Sequence, residues 1–187
     1  VVLDEQKEIV FAAAGDLIQP HREGCDFLDR MYPKKIRKQP DILIASQGGA
    51  PKDVNLYQTQ KALDNAAHAV RDGGTVILVG SCREGLGEET FEEWMTEAGK
   101  PEELIERIQK EFRLGGHKAA AIAMVLARAN ISLVSELPPD LVERLFMKPY
   151  GNVQDAFDDA MRTCGPDASV IVMPYGGSTL PKLCREG

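Results

Sequence analysis

The chain has 187 residues, 43% hydrophobic and 27% charged, with a formal net charge of −7 and a pI near 5.1. That length suits one compact domain of roughly 100–200 residues, and no apolar run approaches the ~18 residues a membrane span needs. So acidic a chain lacks the concentrated basic face with which nucleic-acid binders displace phosphate counterions, so neither nucleic acid nor a membrane is expected as a partner.

From the N-terminus, residues 1–3 and 8–14 read as two short strands around Asp4-Glu5-Gln6-Lys7, ending at the turn signal Gly15-Asp16. Over residues 21–31, Cys25, Leu28 and Met31 recur near helical spacing. The basic Lys34-Lys35-Ile36-Arg37-Lys38 reads as a solvated stretch leading into the next strand. Residues 41–46 are a continuous apolar run bounded by turn residues, which suits a strand buried on both faces. A helix is expected over 55–71, ended by Gly73-Gly74, and a second buried strand over 75–80. Helices follow at 89–97, 101–112 and 117–129, then a strand at 131–134 and a short helix at 138–145. The last helix spans 152–163 and the last buried strand 168–173, before a loop-like tail over 174–187.

Strands alternating with helices imply an α/β three-layer sandwich, with a mainly parallel Rossmann-like sheet and a short N-terminal β-hairpin. A single domain over 1–187 is expected. Cys25, Cys82, Cys164 and Cys184 form no C-x-x-C pair, which points to a reducing, cytoplasmic compartment. The chain opens on Val1 without Met or a signal pattern, as an excised or processed piece would.

In open parallel sheets, ligands sit beyond the carboxyl ends of the strands, which singles out the loops 47–54, 81–88, 135–139 and 174–181. The first is the richest. Gly48 and Gly49 permit positive φ, Pro51 stiffens the turn, and either Asp53 or Asn55 can cap the following helix. Gln58 and Lys61, three residues apart, share a helix face and can hold a carboxylate by hydrogen bond and by charge. The ordinary alternative is a solvated helix face. The loop Ser81-Cys82-Arg83-Glu84-Gly85-Leu86-Gly87 lacks the phosphate-loop lysine and the G-x-G-x-x-G fingerprint, and no histidine is placed to activate Cys82, so a structural turn is favoured. His117 and Lys118 open a helix after Gly115-Gly116 and can lean into a cleft or lie in solvent. His21, His68 and His117 are too scattered for a metal cluster, and no metal is expected on this chain alone.

The string Gly48-Gly49-x-Pro51-x-Asp53-x-Asn55-x-Tyr57-Gln58-x-x-Lys61 resembles the signature loop and helix of the C-terminal domain of the nickel-dependent lactate racemase family. Agreeing stretches are Ala14-Gly15-Asp16 with His21, Gly73-Gly74, Ser81-Cys82-x-Glu84-Gly85-x-Gly87, Leu114-Gly115-Gly116-His117-Lys118, and Met173-Pro174-Tyr175-Gly176-Gly177.

The resemblance implies a piece of a larger isomerase. Its N-terminal catalytic domain, outside this chain, would hold the nickel-pincer nucleotide and the acid–base histidines, and no cofactor is expected in the piece itself. It implies a small 2-hydroxy acid substrate, hydride removal and return at the α-carbon, and a fragment that is inert alone. It assigns substrate contact to Gln58 and Lys61, with Lys61 also catalytic, and leaves Gly48, Gly49, Asp53, Tyr57, His117 and Lys118 as lesser cleft candidates. The family's lactate-specific enzyme uses a tryptophan near the substrate. Trp94, the sole tryptophan here, does not align with it, which puts lactate itself in doubt. A non-catalytic module binding a small anion or nucleotide is the competing expectation. An NAD-dependent dehydrogenase is weakened by the missing glycine fingerprint.

Overall fold

The computed structural model describes residues 1–4, 6–31 and 34–184. It opens with an antiparallel hairpin of β1 (Val2–Leu3) and β2 (Ile9–Phe11), shorter than the sequence suggests, and then α1 (Gln19–Met31). The basic stretch is a strand at its start: β3 (Lys34–Ile36) pairs in parallel with β9 (Pro181–Leu183), inside a tail expected to be loop. Lys34 and Lys35 are exposed as their charge demands. The pairing uses backbone amides, to which a reading based on side-chain charge is blind. Residues 185–187 of that tail lie outside the described residues.

Five parallel strands make the main sheet, in the order β7-β6-β5-β4-β8: β4 (Ile42–Ser46), β5 (Thr75–Val79), β6 (Asn130–Val134), β7 (Lys148–Tyr150) and β8 (Val170–Met173). Ile42 pairs with Thr75 on one side and with Val170 on the other. β7 was not anticipated. It contains Pro149, which removes a ladder donor and is tolerated because β7 is an edge strand.

The alternation within each strand feeds two cores. Leu43, Ala45, Val76, Leu78, Ile131 and Leu133 face one way, toward α2 (Leu56–Ala67), α3 (Glu89–Glu97), α4 (Pro101–Lys110), α5 (Gly116–Leu126) and α6 (Pro139–Arg144). Ile42, Ile77 and Val134 face the other way, against Ala156 and Ala160 of α7 (Val153–Cys164). The result is an α/β sandwich with helices on both faces of a parallel sheet and a small N-terminal hairpin, as the alternating pattern predicts. Among the described residues, no helix is long and apolar enough to cross a membrane.

From β4 the chain steps through β5 and β6 to β7, then returns by α7 to β8 on the far side of β4. The direction of winding therefore reverses between β4 and β8. Their carboxyl ends open the crevice where such folds place ligands.

Candidate functional site

The loop leaving β4 carries the backbone its glycines allow. Gly48 (φ 104) and Gly49 (φ 77) are both left-handed, and the Gly48 amide donates to Ser46 Oγ at 3.1 Å. Of the two possible caps, Asn55 is the one used: its Oδ1 accepts from the Gln58 amide at 3.0 Å. Asp53 turns inward instead. It is 8% exposed, and its Oδ2 accepts from the Ser81 amide at 3.0 Å, tying this loop to the next.

That next loop, residues 81–87, finishes the cap. Gly85 and Leu86 lend their carbonyls to the amides of Leu56 (3.1 Å) and Tyr57 (3.0 Å). The first amides of α2, normally free at a helix start, are thus all held by protein. Gly87 (φ 102) is required here, since a Cβ on it would lie 2.4 Å from the Asn55 side chain. Cys82 is 1% exposed, and burial, with Asp53 and Glu136 adding their charge, pushes its thiol up to about 11. A buried protonated thiol is a structural residue, not a nucleophile.

With its backbone sealed, α2 presents side chains. Lys61 Nζ donates to Gln58 Oε1 at 2.6 Å, so the expected shared face is a direct contact. The Gln58 amide nitrogen and the remaining ammonium hydrogens are left as donors, the pattern a carboxylate accepts. Tyr57 stands beside them, packed edge-on against Phe91 with centroids 5.6 Å apart. Lys118 reaches across from α5, with Nζ 3.8 Å from the Tyr57 ring centroid and donating to the Tyr57 carbonyl at 2.7 Å. Burial, and then the charge of Lys61, lowers the Lys118 ammonium below its ordinary range. Among the described residues, neither Lys61 nor Lys118 forms an ion pair.

His117 sits one residue before Lys118, stacked on Phe112 at 6.0 Å, with Nδ1 accepting from the Gly115 amide at 3.2 Å. The glycines before it are packing residues. A Cβ on Gly116 would strike the Trp94 ring at 2.6 Å, and Trp94 is fully buried with Arg107 over its ring at 4.5 Å. The sole tryptophan is therefore core. No group of three or more His, Cys, Asp or Glu converges among the described residues.

The structure thus gathers Gln58, Lys61, Tyr57 and Lys118 at one place, sets Gly48 and Gly49 at the crevice, and turns Asp53 away from it. Sequence reasoning missed Tyr175. This residue is 62% exposed, and its ring lies 3.2 Å from where a Cβ on Gly48 would be, on the rim between the β4 and β8 loops. The following turn, Gly176–Ser178, is pinned to α2 by Asn65 Nδ2 donating to the Gly176 carbonyl at 2.7 Å. The tail loop was a candidate by position, but nothing local told which side chain would border Gly48.

Residues 36–180 match the family model described as the lactate racemase C-terminal domain. The lactate racemase of Lactiplantibacillus plantarum is 32% identical over 191 aligned positions, covering 97% of this chain and 44% of that protein. The lactate racemase of Thermoanaerobacterium thermosaccharolyticum is 30% identical over 185, covering 96% and 43%. The solved structure of the lactate racemase apoprotein from Thermoanaerobacterium thermosaccharolyticum superposes with a TM-score of 0.83 at 29% identity, over 97% of this chain and 45% of that one. A crystal structure of a Thermotoga maritima protein shares the fold, with a TM-score of 0.62 at 13% identity, over 89% of this chain and 42% of that one. The chain spans a little under half the length of the curated relatives it matches.

Proposed function

The chain belongs to the lactate racemase C-terminal domain family, and from that membership we propose that it is the substrate-contacting C-terminal domain of a larger 2-hydroxy acid racemase or epimerase. The observation that carries the reading is the 2.6 Å contact between Lys61 and Gln58 on a helix whose own amides are already satisfied. Binding at this place is therefore left to side chains. Lys61 would neutralise the substrate carboxylate and Gln58 would orient it, while Lys118, held on Tyr57, braces the first turn of α2, from which Gln58 projects one turn before Lys61.

The chain's own residues fit substrate contact and not cofactor ligation. Among the described residues, no three or more His, Cys, Asp or Glu side chains converge as a protein-only nickel site would need. In this reading the nickel-pincer nucleotide, which supplies hydride acceptance and return when bound, is held by the N-terminal domain with the acid–base histidines, and the isolated chain is inert. The competing reading, a module binding a small anion or nucleotide at helix amides, is disfavoured because the amides of Leu56, Tyr57 and Gln58 are committed.

The test is racemisation by the full-length, cofactor-loaded enzyme followed by optical rotation. Losing a charge-assisted hydrogen bond costs about 1.5–3 kcal/mol, so Lys61→Ala should lower kcat/KM roughly 10- to 150-fold. Wild-type rates in that variant would return Lys61 to the solvated helix face.

A further inference from the structure

Exposed apolar side chains crowd one end of this chain. None of the 13 residues of α1 is buried, and Val2 is the only buried apolar residue of the hairpin. Between helix and hairpin, Phe27 stacks on Phe11 with centroids 4.7 Å apart. Leu3, Ile9, Leu17, Ile18, Leu28 and Met31 are left in solvent, Leu17 at 91% exposure. A lone two-stranded hairpin and a 13-residue helix without a buried face are each marginal in water. Arg22, Glu23, Asp26 and Arg30 of α1 carry charges of both signs, as the rim of an interface does, while Asp29 pairs with Lys182 of β9.

The boundary of the α/β unit explains the contrast. The family match runs over residues 36–180. Ile36 ends β3 and Pro181 begins β9, and these two strands pair side by side. The polypeptide therefore enters and leaves the unit at one place, and residues 1–31 stand outside it. They are nonetheless shared with full-length relatives, since the Lactiplantibacillus plantarum enzyme matches 97% of the chain.

We propose that residues 1–31 are a docking segment, whose exposed apolar side chains and hairpin edges are buried against the other half of the parent polypeptide. This rests on the reading that the parent is a two-part enzyme. The occupant follows from length: the chain accounts for 44% of that relative, which leaves more polypeptide outside the match than within it. Unpaired hairpin edges accept a further strand, and a hydrophobic helix edge needs an apolar bed.

Hydrogen exchange measured on the 187-residue chain and on the full-length parent tests this. In the parent, the amides of α1 and β2 should exchange at least 100-fold more slowly than in the shorter chain, while those of β4, β5 and β6 keep the same rates. Equal protection of α1 in both proteins would overturn the proposal. So would concentration-dependent protection in the shorter chain, which would make the occupant a second copy. The double variant Ile18→Glu, Leu28→Glu should leave the Tm of the 187-residue chain unchanged and lower that of the parent; an unchanged parent Tm would count against the docking segment. None of these readouts uses turnover, so their failure and that of the Lys61 test are separable.

Discussion

The two ends of the main sheet treat their polar side chains differently. At the amino end, charges close on one another. Asp41 accepts from Arg71 Nε at 2.7 Å and from the Ser169 amide and hydroxyl at 2.7 and 2.6 Å, while Arg128 joins Asp72 at 2.8 Å and caps the Ala67 and Val70 carbonyls. At the carboxyl end, Arg83 and Glu136 pair in solvent at 3.3 Å, but Lys61 holds only a neutral amide, and Lys118 only a carbonyl and a ring. Both ends are rich in glycine and charge, so neither property marks a site. What distinguishes the carboxyl end is hydrogen-bonding capacity left unspent after the backbone has been satisfied.

The largest effect should come from disturbing the cap that frees those side chains from backbone duty. Gly87→Ala puts a Cβ 2.4 Å from Asn55 at a positive φ of 102, and strain plus overpacking should cost roughly 2–5 kcal/mol by urea unfolding. Gly49 has nothing within 4 Å of its Cβ position, so Gly49→Ala should cost only the left-handed backbone, about 1–2 kcal/mol. Equal costs would mean that the loop after β5 is no more a scaffold than the loop after β4.

A smaller effect separates true from apparent free groups at the carboxyl end. Cys82 lies in the loop that resembles a reactive one, yet its thiol is buried and pushed up to about 11. At pH 8 only on the order of 1 thiol in 1,000 would be ionised even if it were reachable. Thiol reagents should therefore modify exposed Cys25 at least 100-fold faster than Cys82 in the native chain. Comparable rates would show that the 81–87 loop opens readily, and the contrast between scaffold and site would weaken.

How far this was legible in the sequence varies with the range of the interaction. Buried strands 42–46 and 75–79 announce themselves because both faces are apolar, and the 58/61 pairing follows from helical spacing. β7 and the β3–β9 pair were hidden, since their identity lies in backbone partners far along the chain, and Pro149 or a lysine pair argues locally for loop. Within the site, Asp53 illustrates the limit. Its position suits a helix cap, but Asn55 takes that place and Asp53 bonds to Ser81, 28 residues on. Tyr175 was invisible as a rim residue for the same reason: its neighbour Gly48 is brought to it only when β8 returns beside β4.

The smallest expected effect concerns the amino end, where closure of charge on charge should be readable as pH dependence. The Ser169 hydroxyl, then its amide, then Arg71 hold the Asp41 carboxyl well below the usual carboxylate range. A depressed folded-state value means that Asp41 stabilises fully above its unfolded value, near 4, and that this contribution is lost as the pH falls below it. Urea unfolding of the chain should therefore show stability declining as acid is added below about pH 4, more steeply in the wild type than in Asp41→Asn, which also starts lower at neutral pH. The decline will not vanish in the variant, because Asp159, bonded to Lys148, Tyr150 and Arg162, is held low in the same way. Lys61→Ala, by contrast, removes no carboxylate partner and should leave the acid limb unchanged. If wild type and Asp41→Asn instead lose stability in parallel, the bonds from Arg71 and Ser169 to Asp41 add nothing to folding, and the two ends of the sheet differ less than their geometry indicates.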